Sequence, residues 1–67
     1  MDLYDIKPGY YITRLLAGKI PHNLRVTEVT EDEIRCGTEF IFNRHNGQEI
    51  DDYFALVVSY ISDYKPN

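Results

Sequence analysis

The apolar and polar residues of segment 24–50 alternate in a way that predicts a run of short β-strands. Its first part, residues 24–30, is rich in β-branched side chains, which are stiff at χ1 and suit a pleated, half-buried surface. The apolar positions there begin with a period of two, but Val29 falls out of phase. A β-bulge near residues 27–28 would shift the phase by one residue, so we expect a single bulged strand here.

Two further strands and a hairpin follow from the same kind of alternation. Residues 33–36 and 39–43 each place apolar side chains on one face and largely polar side chains on the other. Asn46-Gly47 is the strongest turn signal in the chain, because both residue types tolerate positive φ. Residues 48–50 would then form the short return strand of that hairpin.

The beginning of the chain predicts one more strand between less regular segments. Residues 10–16 are rich in β-branched and aromatic side chains and are apolar on both faces, which is typical of a central strand or a contact surface. Residues 17–23 contain a glycine and a proline and are predicted to form a loop. Both ends of the chain, residues 1–6 and 63–67, are predicted to fray.

The segment after residue 50 fits two patterns. Apolar residues recur at helical spacing, yet they also alternate with a period of two, and their β-branched and aromatic types favour a strand. We expect a short helical turn at residues 51–53 followed by a closing strand at 56–61. The alternative is a helix at about residues 52–62.

These elements predict a single mainly-β domain over residues 1–67, either a small SH3-like barrel or a curled five-stranded antiparallel sheet. The alternative helix would instead give an α+β fold, a β-meander with a C-terminal helix at about 52–62. By surface scaling, a chain of 67 residues buries only roughly 60% of the surface that its unfolded form exposes. We therefore expect a small core and modest stability.

The composition indicates a cellular location and disfavours one class of partner. The single cysteine cannot form an intramolecular disulfide, which fits a reducing, cytoplasmic location. The first residues lack the basic and apolar regions of a signal peptide, and no apolar run approaches the roughly 20 residues of a membrane span. The net charge of −4 disfavours non-specific attraction to nucleic acid, although an acidic protein can still carry one basic face.

One stretch of the chain resembles a motif of short uncharacterised bacterial and phage-borne proteins. In that motif a Cys-Gly turn precedes an aromatic strand and an Arg-x-x-Gly-x-Glu-Ile-Asp segment. The matching residues here are Cys36-Gly37, Phe40, Phe42, Arg44, Gly47 and Glu49-Ile50-Asp51. The resemblance implies a small SH3-like β unit, and it brings no established activity, cofactor or catalytic residue.

The side chains capable of chemistry do not form a recognisable site. His22 and His45 lie in different predicted turns, and their spacing from Cys36 and the carboxylates matches no zinc pattern. Cys36 shares a strand face with Ile34, where a cysteine usually serves as a small buried hydrophobe. We expect no metal ion, no cofactor and no catalytic residue, and therefore no enzyme.

Four arginines lie in or beside predicted strands and form the basis of one functional hypothesis. In a meander they could line up on an outer face and, with Tyr10 or Tyr11, bind nucleic acid. The alternative is a solvated face on which they pair with nearby glutamates. The four residues are Arg14, Arg25, Arg35 and Arg44.

A second hypothesis rests on carboxylates and tyrosines, and it is the one that we favour. Acids concentrate in residues 28–33 and 49–52, and tyrosine is enriched in protein interfaces because it combines a large contact area with one polar group. The chain would then be a non-enzymatic binding module for an unidentified protein partner. The predicted contact residues are Tyr53, Tyr60, Asp51, Asp52, Glu31 and Asp32.

A third hypothesis is self-association. Strands that are apolar on both faces can pair between copies, so residues 10–16 or 56–61 could form the interface of a homodimer.

Overall fold

The computed structural model describes residues 2–50 and 58–66, which contain one turn of 3₁₀ helix and six β-strands. The strands form two antiparallel sheets: sheet A, with the order β2-β1-β6, and sheet B, with the order β3-β4-β5. The mainly-β prediction is confirmed. In chain order the elements are the 3₁₀ helix Leu3–Asp5, β1 Tyr11–Leu16, β2 Ile20–Arg25, β3 Glu28–Val29, β4 Glu33–Cys36, β5 Phe40–Asn43 and β6 Tyr60–Lys65.

The predicted return strand at residues 48–50 joins the two sheets instead of extending a regular ladder. Glu49 forms an isolated bridge with Phe42 of β5, and Gln48 forms one with Tyr60 of β6. The backbone N–H of Glu49 also donates to the carbonyl of Ser59 at 2.9 Å. Among the described residues the sheets do not close into a barrel, and there are six strands in place of the predicted five.

The prediction of a loop at residues 17–23 was wrong. The turn occupies only residues 17–19, and β2 already begins at Ile20. The misleading residue was Pro21, which usually interrupts a strand. Here β2 is an edge strand of sheet A, where a proline is tolerated because its missing N–H can face away from the neighbouring strand.

Residues 24–30 do not form one bulged strand as predicted. β2 ends at Arg25 and β3 begins at Glu28, so the change of phase marks the passage of the chain from sheet A to sheet B. Val26 lies at this passage, only 1% exposed, and its N–H donates to the carbonyl of Tyr10 at 2.8 Å. An irregularity of the predicted kind does occur elsewhere, between Thr13 and Arg14, where β1 pairs with β6.

The last strand lies later in the chain than the predicted 56–61, although it also has six residues. β6 spans residues 60–65, so a helix at 52–62 is wrong for its final residues, while residues 51–57 lie outside the described part. The predicted frayed end at 63–67 instead contributes paired residues, with Asp63 opposite Thr13 and Lys65 opposite Tyr11. Within residues 2–50 and 58–66, no helix is long and apolar enough to cross a membrane.

The predicted frayed start at residues 1–6 also carries structure. Leu3 and Ile6 are buried in the core, and Ile6 has no exposed surface. The core therefore combines this segment with the inner faces of both sheets, which explains how so short a chain covers its strands. Its buried apolar residues are Leu3, Ile6, Ile12, Val26, Ile34, Cys36, Phe42 and Ile61.

The predicted Asn46-Gly47 turn is present in a wider form. Gly47 has a φ of 78°, whereas the one non-glycine residue with positive φ in the described part is Ala17, at 55°. The N–H of Asn43 donates to the carbonyl of Gln48 at 2.8 Å and closes a loop of four residues between them. The left-handed position is thus filled by glycine, as predicted, but Asn46 does not share it.

Ala17 and Gly37 allow a matched test of left-handed backbone strain. Both have positive φ, at 55° and 71°, and a Cβ added at Gly37 would meet nothing within 4 Å. A residue with a Cβ in the left-handed conformation destabilises the folded state by roughly 1–2 kcal/mol. Part of this difference from glycine is offset, because glycine loses more backbone entropy when the chain folds. We expect Ala17→Gly to raise the free energy of unfolding by about 0.5–1 kcal/mol and Gly37→Ala to lower it by a similar amount. Urea unfolding of both variants measures the shifts, and two shifts of the same sign would contradict the prediction.

Candidate functional site

Three of the six residues predicted to form an acidic, tyrosine-rich contact surface lie in the described part of the chain, on two different elements. Tyr60 is on the outer face of sheet A, opposite Leu15, and is 37% exposed. Glu31 and Asp32 are exposed in the turn between β3 and β4. The other three predicted contact residues lie outside the described part of the chain: Asp51, Asp52 and Tyr53.

A different group of acids and tyrosines does converge, where the 3₁₀ helix approaches β6. Partial burial raises the pKa of Tyr64, and the neighbouring carboxylates of Asp5 and Asp2 raise it further, with smaller contributions from Tyr10 and Asp63. The rings of Tyr10 and Tyr64 are stacked, with centroids 6.2 Å apart and planes inclined by 15°. We call these five residues the acidic tyrosine surface.

Sequence reasoning missed this surface because it treated residues 1–6 as frayed. Asp5 is the last residue of the 3₁₀ helix, and Asp2 precedes the helix and caps it by accepting a hydrogen bond at 2.9 Å from the N–H of Tyr4. The cue in the sequence was the pattern Asp2-Leu3-x-x-Ile6, a capping residue followed by two apolar residues that both enter the core.

Arg44 fixes the 3₁₀ helix to the loop after β5. Its guanidinium donates to the backbone carbonyl of Thr30 at 2.7 Å and to that of Tyr4 at 3.0 Å, and it lies 4.8 Å from the centroid of the Tyr4 ring. Charged donors to carbonyls make stronger hydrogen bonds than neutral ones. Arg44 is therefore a structural residue that joins the N-terminal segment to sheet B.

A hydrogen-bonded chain of three exposed side chains lies beside Arg44. The Tyr4 hydroxyl bonds Nδ1 of His45, and Nε2 of His45 lies 2.9 Å from a carboxylate oxygen of Asp32. In the neutral imidazole, Nε2–H can donate to Asp32 while Nδ1 accepts from Tyr4. The three groups satisfy one another, which adds a second connection between the 3₁₀ helix and the β3–β4 turn.

Arg14 and Glu49 form an ion pair on the inner side of sheet A. Their side chains are only 12% and 10% exposed, and Nε of Arg14 donates to the Glu49 carboxylate. The guanidinium also lies 5.0 Å from the centroid of Phe40, whose ring meets His22 edge-on at 5.8 Å. We call residues 47–50 the joining segment. The ion pair anchors this segment to β1 and leaves the Arg14 side chain turned away from solvent.

The four arginines of the nucleic-acid hypothesis do not share a face. Arg14 and Arg44 are engaged as described above. Arg35 lies in sheet B, where its pKa is raised mainly by the hydrogen bond and charge of Glu33, with an N–O distance of 2.7 Å. This is the glutamate pairing that the sequence offered as the alternative. Arg25 differs from the other three, because it is exposed on β2.

The outer face of sheet A carries a tyrosine between two basic residues, a grouping that was not predicted from the sequence. Tyr11 of β1 is in register with Arg25 of β2 on one side and Lys65 of β6 on the other. All three are exposed, Tyr11 by 46%. We call this trio the basic aromatic row. Its cue was the lack of any acidic residue in segment 6–27, which the net charge of the whole chain conceals.

Cys36 and the histidines are placed in ways that limit their chemistry. Burial raises the pKa of the Cys36 thiol to about 11, so it stays protonated and weakly nucleophilic near neutral pH. His22 contacts Phe40, whereas His45 belongs to the chain with Tyr4. Within residues 2–50 and 58–66, no group of three or more histidine, cysteine or carboxylate side chains is placed to hold a metal ion.

The strands predicted to pair between copies also have a different placement. β1 is central in sheet A and pairs with β2 on one side and β6 on the other, so its backbone cannot form a ladder with a second copy. Of the predicted interface 56–61, residues 60–61 belong to β6, which pairs with β1. Within the described part of the chain, the edge strands of sheet A are β2 and β6, and β6 also forms an isolated bridge to Gln48 at Tyr60.

No family model matches the chain, and neither a curated protein nor a solved structure does. Its function therefore has to be argued from its own surfaces.

Proposed function

We propose that this protein is a non-enzymatic binding module that contacts a basic protein partner through its acidic tyrosine surface. The observation that carries the proposal is that the carboxylates of Asp2, Asp5 and Asp63 lie near enough to Tyr64 to raise its pKa, while the Tyr64 ring stacks on that of Tyr10. Carboxylates attract a basic partner, and tyrosine rings supply contact area with few rotatable bonds. The chain's net charge of −4 adds attraction over a longer range.

The anchoring of the 3₁₀ helix supports this proposal. Leu3 and Ile6 hold the segment in the core, while Arg44 holds its carbonyls from outside. A surface that is already ordered loses less conformational entropy when it binds. The acidic tyrosine surface is thus built on a fixed segment of the fold.

The chemistry of the surface defines the kind of partner. Lysine and arginine side chains would meet the carboxylates, and an arginine would also lie over the accessible part of the half-buried Tyr10 or Tyr64 ring. The partner surface could be one that ordinarily binds nucleic acid, since it would present the same charges. Asp32, which contacts His45, and the exposed Glu31 next to it in the chain would extend the acidic contact along the β3–β4 turn.

The proposal predicts that removing two charges from this surface weakens binding far more than removing two elsewhere. The double variant Asp5→Asn/Asp63→Asn keeps side-chain shape, whereas Glu28→Gln/Glu39→Gln removes equal charge from exposed positions in and beside sheet B. With each exposed charge contributing about 0.5–1 kcal/mol, we expect the first variant to weaken binding of a labelled arginine-rich peptide roughly five- to thirtyfold. Fluorescence anisotropy at low ionic strength measures the affinities.

Two outcomes would reject the proposal. Equal weakening by both double variants would mean that net charge alone attracts the peptide. Absence of binding by the unchanged protein at low ionic strength would remove the basic partner altogether. Matching thermal midpoints of the two variants provide the control for folding.

We also propose that the fold is SH3-like, that the protein is cytoplasmic and that it is a bacterial or phage-borne accessory protein. The bridges Phe42–Glu49 and Gln48–Tyr60 link the two sheets into one curled arrangement, which supports an SH3-like unit. The single buried thiol supports a cytoplasmic location. The motif around residues 36–51 supports a bacterial or phage-borne accessory protein.

A further inference from the structure

We propose that the outer face of sheet A binds single-stranded nucleic acid, with a base stacked on Tyr11 and phosphates held by Arg25 and Lys65. Of the acidic tyrosine surface, only Asp63 also lies on this face, and the two proposals are tested with different ligands. Register places the cations on the two strands that flank Tyr11. Neighbouring strands are about 4.8 Å apart, so the two cationic residues start about 10 Å from each other, across the ring.

The local charge of this face differs from that of the whole molecule. Segment 6–27 contains four of the seven lysines and arginines and no acid. Arg14 is neutralised by Glu49, which leaves Lys7, Lys19 and Arg25 as the cations of this segment, with Lys65 added by β6. In the paired rows of this face, Arg25 and Lys65 are opposed by one acid, Asp63, so an approaching anionic strand meets a net positive charge beside Tyr11.

The surface beside Tyr11 has room and polar groups for a base. A shallow depression of about 430 Å³ is lined by Tyr11, Ile12, Thr13, Asn23, Lys65 and Pro66. Thr13 and Asn23 are joined by a hydrogen bond of 3.3 Å across β1 and β2, and their hydroxyl and amide can also meet the edge of a base. An aromatic platform flanked by cations is the usual composition of a single-strand site.

An acidic peptide is the main rival ligand, and the geometry favours it less. A peptide would be expected to add a strand to the β2 edge. Tyr10 accepts from the N–H of Val26, and hydrogen-bonded pairs alternate in an antiparallel ladder, so Arg25, Asn23 and Pro21 direct their backbone groups outward. Pro21 has no N–H to donate at that edge. A base, in contrast, uses the aromatic ring that an acidic peptide does not require.

The first test uses a labelled oligothymidylate of about eight nucleotides, with anisotropy recorded across a salt series. Two phosphate contacts on a single strand predict that log K falls against log salt with a slope of about −1.4. Tyr11→Ala is expected to weaken binding roughly five- to a hundredfold, the range of a lost base stack, while Tyr11→Phe retains it. Lys65→Gln should make the slope shallower by about 0.7.

The matched control for charge is Arg35→Gln, which removes one cation from sheet B and should leave the slope unchanged. Asp63→Asn should strengthen binding, because the Asp63 carboxylate lies on the same face of β6 as Lys65, two residues away, and repels phosphate. Should Tyr11→Ala fail to fold, Tyr11→Leu keeps the apolar bulk and removes only the stacking ring. Absence of binding at low ionic strength, equal binding by Tyr11→Leu or Tyr11→Ala, or preferential binding of an oligoglutamate peptide would each overturn the proposal.

Discussion

A Glu49→Ala variant is expected to lose about 3–5 kcal/mol of its free energy of unfolding. The carboxylate it removes neutralises Arg14, and both side chains are about nine-tenths buried, at 12% and 10% exposed. The remaining guanidinium would keep its contact with Phe40 but lose its counter-charge. A chain of this size has only about 3–10 kcal/mol in total, so much of the variant should be unfolded. Urea unfolding followed by circular dichroism at neutral pH measures the loss.

A double variant separates the ion pair from the space that it fills. Replacing a buried pair by apolar side chains is often nearly neutral, whereas removing one partner is not. Arg14→Leu/Glu49→Leu should therefore be more stable than Glu49→Ala. If Arg14→Leu and Glu49→Leu alone have losses that simply add in the double variant, the two side chains do not couple, and the importance assigned to the pair is contradicted.

The strands that the sequence predicted well are β4 and β5, whose side chains alternate cleanly, and β1, whose β-branched and aromatic residues mark it although it is apolar on both faces. β1, β4 and β5 lie at or within one residue of the predicted bounds, because Ile34 and Phe42 each enter the core from a strand with regular period two. β2 was missed because Pro21 has the same local signal in a loop and on a sheet edge. A proline in a loop and a proline in an edge strand differ only in whether another strand lies beside them.

The candidate sites were harder to predict, because each joins residues that are distant in sequence. Tyr64 meets Asp5 only because β6 pairs with β1 while the 3₁₀ helix packs beside it. Arg14 resembled the other arginines in sequence, and its inward position depends on the register of β1 with β6. Tyr11 acquires Lys65 as a neighbour through the same pairing and Arg25 through the pairing of β1 with β2. Local patterns identify strands, whereas strand order decides which charges face one another.

The Phe42→Ala variant is expected to be as unstable as Glu49→Ala, for a different reason. Phe42 has no exposed surface, pairs with Ile34 in sheet B and bridges to Glu49. Truncating a buried phenylalanine costs about 3–5 kcal/mol, because the transfer free energy is lost and a cavity remains. The side chain lies where sheet B meets the joining segment, so we expect the two sheets to unfold together in one transition.

Phe40→Ala is the matched control for this prediction, since it removes the same atoms from the same strand. Phe40 is only half-buried and contacts Arg14 and His22 at the margin of the core. Its loss should cost less than that of Phe42 and should leave the cooperative transition intact, as measured by coincident urea curves from circular dichroism and tyrosine fluorescence. A larger loss for Phe40→Ala, or separate transitions in Phe42→Ala, would show that the sheets are stabilised independently. The joining segment would then not couple the stability of sheet A, which bears Tyr11, to that of sheet B, which bears Phe42.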